Sequence, residues 1–148
     1  MSNFRVLQMT NTSVGAVAVN GFMPFGIITR RVNRNICTES PTFSISTTGT
    51  DTITVNECGN YDVVYSANAV ASAAGIITMN LIVNGVNTYA VSETVAAGDT
   101  VNLTLPYQIR VLPNCASNPN NNPVNIQIEL TGVAITGGSS NIIVERVY

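Results

Sequence analysis

Through most of this chain hydrophobic residues recur at every second position, and no stretch keeps the three-to-four spacing of a helix. In residues 61–70, Tyr61, Val63, Tyr65 and Ala67 share one face. In residues 101–111 the face is made by Val101, Leu103, Leu105, Tyr107, Ile109 and Val111. Successive side chains of a strand point to opposite sides, so each run predicts a strand with one buried face. Residues 76–83 and 86–95 predict two more strands around Asn84-Gly85, a pair that tolerates the positive φ required at both central positions of a type I′ turn. Ser72-Ala73-Ala74-Gly75 and Ala97-Gly98-Asp99-Thr100 supply the remaining reversals, so residues 57–114 predict four antiparallel strands.

Upstream, residues 14–19 and 27–32 predict short strands separated by a loop with two glycines and a proline, and residues 43–46 and 52–55 predict a hairpin about Thr48-Gly49-Thr50-Asp51. Downstream, residues 124–130 and 142–148 predict the closing strands, with residues 136–141 as the turn before the last. Prolines and asparagines across residues 113–123 predict a surface loop. About ten strands at regular spacing indicate an all-β sandwich or barrel. Residues 1–13 are expected to form a loosely held N-terminal arm, tied down only by an assembly partner, with residues 14–148 as a single domain.

Composition changes the picture of the surface. The chain has 148 residues, enough for one domain with a real core, yet only 9% are charged, against about 25% in an average soluble domain. Asparagine, threonine and serine supply the polarity instead, which suits contact between copies better than mutual repulsion. A formal charge of −2 and a pI near 4.8 argue against a nucleic-acid partner, which would need clustered positive charge. No stretch approaches the roughly 20 apolar residues of a membrane helix. The expectation is a product made in a bacterial cytoplasm without a signal peptide and without membrane insertion.

The absence of histidine and lysine removes the usual bases for a serine or cysteine nucleophile. Cys37, Cys58 and Cys115 lack the close spacing of a zinc site. Asp51 and Asp99 lie in predicted turns, where an aspartate caps its own backbone, so no enzymatic role and no cofactor are expected. Calcium at turn carboxylates is the one metal the residues would suit. Arg30, Arg31 and Arg34 form the single basic cluster, read either as paired and solvated side chains or as a contact for an acidic particle surface. The loop bearing Asn114, Asn118, Asn120, Asn121 and Asn122 is read as ligand-facing or as a solvated tip.

Two blocks carry a family resemblance. Gly59-Asn60-Tyr61-Asp62-Val63-Val64-Tyr65 resembles the Gly-x-Tyr-x-Val-x-Tyr stretch of the tumour necrosis factor (TNF) and complement globular-head superfamily. Gly98-Asp99-Thr100-Val101-Asn102-Leu103 is similar to its Gly-Asp-x-Val-x-Leu strand. A narrower resemblance, carried by Val17-Ala18-Val19-Asn20-Gly21, Pro24, Gly26-Ile27-Ile28, Arg30-Arg31 and the segment from Arg110 to Cys115, is to small virion-associated proteins of phages and prophages of Firmicutes and gut bacteria.

These resemblances imply a ten-stranded antiparallel jelly-roll sandwich, TNF-like, assembling as a homotrimer on a virion surface as a capsid decoration protein or head fibre. The N-terminal arm would be its anchor and another virion protein its partner. The alternative is a carbohydrate-binding adhesion module of a phage or a bacterial spore, with a host glycan as ligand. The implied trimer contacts are Tyr61, Tyr65, Leu103, Leu105 and Tyr107. The implied topology sets the strand starting at Tyr61 beside the one ending near Leu112. Pairing those two residues would carry Cys58 and Cys115 into disulfide reach and leave Cys37 for a bond between chains.

Overall fold

The predicted alternation folds into two layers. In the computed structural model, which describes residues 4–33, 41–112 and 123–147, there are ten strands: β1 (Val6–Asn11), β2 (Ile27–Val32), β3 (Phe43–Ile45), β4 (Ile53–Val55), β5 (Gly59–Ala71), β6 (Gly75–Val83), β7 (Val86–Val95), β8 (Thr100–Val111), β9 (Val124–Thr131) and β10 (Ile135–Arg146). One five-stranded sheet has the order β2-β1-β10-β5-β8 and the other β3-β4-β9-β6-β7, with every pairing antiparallel. Neighbours far apart in the chain are interleaved in both sheets, as in a jelly roll.

The inward faces of β5 and β8 meet the second sheet through Phe43, Ile77, Met79, Leu81, Ile126 and Ile128. Edge-to-face ring pairs fix the first half of β5. Phe25 meets Tyr65 at 6.1 Å and 76°, and Phe43 meets Tyr61 at 6.0 Å and 80°. Each such pair adds about 1 kcal/mol beyond the area it buries. Tyr61, Tyr65, Leu103 and Leu105 are buried in this core, which corrects their expected place in a trimer contact. The residues alternate toward the other sheet of the same chain, and that sheet covers them. Tyr107 is half-buried at the open side of the sandwich, stacked on Tyr89 of β7 at 5.6 Å and 27°.

Several boundaries move. The expected arm is largely β1, hydrogen-bonded between β10 and β2, with Leu7 opposite Val144 and Met9 opposite Ile142. Leu7 and Met9 point inward and Gln8 and Thr10 outward, a period-two pattern too short to stand out. Residues 14–19 are not a strand. They carry the chain from one sheet to the other, pinned where Val17 exchanges two backbone bonds with Ile135 at 3.1 and 3.0 Å. Residues 136–141 are not a turn either, because β10 runs through them with a register shift between Ile135 and Gly137. Asn84 at φ 50° and Gly85 at φ 79° form the expected tight turn.

β5 and β8 are neighbours as the resemblance implied, but in a different register. Tyr61 lies opposite Ile109 and Gly59 opposite Val111, three residues from the expected Tyr61–Leu112 pair. Opposite residues of an antiparallel pair share a face. Tyr61 points into the core while Leu112 is exposed, so the two cannot be partners. The register therefore lends no support to a Cys58–Cys115 bridge. Cys58 is half-buried just before β5; Cys37 and Cys115 lie outside the described residues.

Beside Cys58 the two ends of the chain are clamped together. The Glu57 carboxylate accepts from Arg5 Nε at 3.3 Å, Arg146 Nη1 at 2.6 Å and Thr42 Oγ1 at 3.0 Å, and its backbone oxygen accepts from the Tyr61 hydroxyl at 2.8 Å. Burial, and for Tyr61 the Glu57 charge as well, holds the Tyr61 and Tyr65 hydroxyls protonated above their usual ionisation near 10.0. The nearby Ser140 hydroxyl opposes that rise at Tyr65, although neither hydroxyl has a hydrogen-bond partner among the described residues. The folded state thus holds these two protons more tightly than the unfolded chain does. Stability is fully present below pH about 10 and falls as pH rises beyond it, because the unfolded chain ionises first. Denaturation midpoints measured from pH 9 to pH 11.5 should fall steeply for the wild type and less steeply for Tyr61→Phe/Tyr65→Phe.

Candidate functional site

The outward faces of the two sheets differ in how their polar side chains are used. On the β3-β4-β9-β6-β7 sheet they bond one another. Thr54 Oγ1 donates to Asn125 Oδ1 at 2.7 Å, Gln127 Nε2 to Thr52 Oγ1 at 3.0 Å, and Asn87 Nδ2 to Asn80 Oδ1 at 2.9 Å. Asn80 Nδ2 donates to Thr131 Oγ1 at 2.9 Å, and the Thr78 and Ser92 hydroxyls lie 2.9 Å apart. These bonds engage most of the polar side chains on that face, leaving Thr94 and Glu129 without a side-chain hydrogen bond among the described residues.

On the β2-β1-β10-β5-β8 sheet, register aligns two polar rows across the strands. Thr10, Asn141, Ser66 and Thr104 form one row, and Ser139, Asn68 and Asn102 form the next. Gln8 Nε2 and Thr10 Oγ1 both donate to Asn141 Oδ1 at 3.0 Å. Further along, Ser66, Asn68, Asn102, Thr104 and Ser139 have no side-chain hydrogen bond among the described residues. They line a depression of about 470 Å³ with no charged residue in its wall. Ile143, Val64 and Pro106, aligned in the adjacent row, give it an apolar rim.

Amides and hydroxyls both donate and accept, so this surface is matched to a neutral, hydrogen-bonding partner. It lacks the charge that an anion or a hard cation would need. Among the described residues no group of three or more His, Cys, Asp and Glu side chains is placed to hold a metal ion. The turn aspartates are engaged within their own turns: Asp99 accepts from Ala96 N at 2.8 Å, and Asp51 accepts from the Ser46 and Thr52 hydroxyls at 3.4 and 3.1 Å. No helix among these residues is long and apolar enough to cross a membrane.

The residues singled out from the sequence are dispersed. Arg30 and Arg31 are exposed on β2, with the Arg30 guanidinium 5.4 Å from the centre of the Phe4 ring. Arg34, Asn114, Asn118, Asn120, Asn121 and Asn122 lie outside the described residues. The seven side chains of the two polar rows were not singled out at all. For Ser66, Asn68, Asn102 and Thr104 the signal was present, since they occupy the outward positions of strands whose inward positions were read correctly; Thr10, Ser139 and Asn141 lie where an arm and a turn were expected.

No known family matches the sequence, and no curated protein does. Solved structures match its fold. The globular domain of a zebrafish complement 1qA protein superposes with a TM-score of 0.67 at 10% identity, covering 97% of both chains. The Eiger TNF of S. frugiperda gives 0.65 at 11% identity, covering 98% of this chain and 93% of its own. The PRD1 vertex protein P5 gives 0.62 at 13% identity, covering 97% of each. At these identities the likeness establishes a TNF-like jelly-roll fold.

Proposed function

We propose that this chain is a non-enzymatic structural protein that assembles as a homotrimer through the outward face of the β2-β1-β10-β5-β8 sheet. On a phage particle it would serve as a decoration protein or head fibre. The observation that carries this reading is the contrast between the two outward faces: on one most polar side chains bond one another, while the other leaves five neighbouring side chains without partners on a neutral, apolar-rimmed surface. Polar groups with unused bonds beside apolar residues are what a second copy covers at an interface. The fold shared with a phage vertex protein supports the virion setting, as does the 9% charge content, which leaves little repulsion between copies.

Light scattering at micromolar concentration is expected to give three times the chain mass of 15.6 kDa for the wild type. Asn68→Glu/Asn102→Glu should give the monomer mass, because the paired carboxylates would be buried without a counter-charge. A monomeric wild type at that concentration refutes the assembly. The uncharged depression also favours a second reading, binding of a neutral glycan. Glycan-array binding that the same substitutions abolish while the trimer persists would replace the first reading with this one.

A further inference from the structure

β2 is the outermost strand of its sheet and the least covered. All six of its residues are exposed, and Ile27, at 70%, is the most exposed large hydrophobic residue among those described. Ile28 and Val32 are open as well. Its inner neighbour is β1, and its other edge meets no strand among the described residues. Such an edge presents a row of unpaired backbone groups and is a template for an added strand.

Arginines at an edge, with the bulge that the Gln8/Met9 register shift introduces opposite Thr29, serve in many sheets to repel other strands. That reading accounts for Arg30 and Arg31 but not for three open aliphatic residues on the same short strand. Arg30 is opposite Gln8, on the outward face, and Arg31 is opposite Leu7, on the inward face. Among the described residues neither guanidinium lies against a carboxylate. The cation–π contact with Phe4 holds Arg30 over the outward face beside the open edge.

We propose that β2 is the docking strand for an extended segment of another protein that carries two consecutive acidic residues flanked by aliphatic ones. Neighbouring residues of a strand face opposite ways, so two adjacent carboxylates reach both arginines at once whichever direction the incoming strand runs. The flanking aliphatic residues cover Ile27, Ile28 and Val32. A second copy of this chain does not fit, because its 148 residues contain no two consecutive acidic residues. Antiparallel self-pairing centred on residues 30–31 would also set arginine against arginine. The proposal deepens the particle-bound reading and rests on it for the partner being a virion protein. It is tested apart from self-assembly, because the assay below does not depend on the oligomeric state.

The probe is a labelled synthetic peptide, Val-Thr-Glu-Glu-Val-Val, with a control in which lysines replace both glutamates. Binding is followed by fluorescence anisotropy and located by hydrogen exchange of the amides of residues 27–32. The acidic peptide is expected to bind about tenfold more tightly than the lysine peptide, and to slow exchange along β2, since two exposed charge pairs distinguish them. Arg30→Glu/Arg31→Glu should reverse the preference. The gain of lysine-peptide binding also shows that the variant is folded. Equal binding of the two peptides, protection outside β2, or no binding of either by the wild type overturns the proposal.

Discussion

Glu57→Ala is expected to lower the melting temperature by about 10 °C, the larger of two effects expected at opposite ends of the sandwich. The Glu57 side chain is 6% exposed, and those of Arg5 and Arg146 are 12% and 20% exposed. Removing one partner of a buried ion pair strands the other charge in a poorly hydrated place, which costs about 3–5 kcal/mol. In a domain of this size each kcal/mol moves the melting temperature by about 2–4 °C. Here the one carboxylate serves two guanidiniums, from the start of the first sheet's second strand in space and from the end of its third, and the hydroxyl of Thr42 ahead of β3. Thermal denaturation followed by circular dichroism measures the shift. A change under about 2 °C would show that the arginines reach water once the carboxylate is gone.

Gly132→Ala should be nearly as damaging, by about 3 kcal/mol, through the backbone rather than through charge. Gly132 has φ +84° in the turn from β9 to β10, and a Cβ there would stand 2.0 Å from the Ile76 carbonyl oxygen. The left-handed conformation alone costs an L-residue about 1–2 kcal/mol. The collision adds to this, because a backbone oxygen at the start of β6 cannot swing aside as a side chain would. Gly85→Ala isolates the first cost: φ is similar at +79°, but no atom lies within 4 Å of the added carbon. Chemical denaturation of the two variants should therefore separate them. Equal losses would mean that the contact between β6 and the β9–β10 turn relaxes around the methyl group.

What could be read from the sequence follows from how one-sided each strand is. Tyr61, Val63 and Tyr65 alternate against Asp62 and Val64 over a long run, and the burial follows that alternation. The short runs behaved differently. β1 has only Leu7 and Met9 to mark its inward face, and its place in the sheet is decided by pairing with residues 129 to 139 positions away, from Asn11↔Ser140 to Val6↔Glu145. Gly137 and Gly138 look like a turn locally, yet β10 passes through them because β5 runs beside it, with the Asn68 oxygen where a Cβ of residue 138 would sit. The polar rows of the candidate site depend on the mutual register of four strands. A single strand's pattern shows that Asn68 points outward, but not that Ser139 and Asn102 flank it.

The position of β10 also bears on how the chain acquires this fold. The last of the ten strands lies between β1, the first, and β5, and bonds to both along most of its length. As the polypeptide leaves the ribosome, β1 and β5 have no ladder to join, and one sheet stays in two pieces until the final dozen or so residues of the domain emerge. Closure then joins the most distant segments of the chain in one late step, the kind of non-local pairing that makes folding slow and leaves open edges exposed meanwhile. An incomplete chain lacking β10 would hold two such edges permanently and is the form most prone to aggregate.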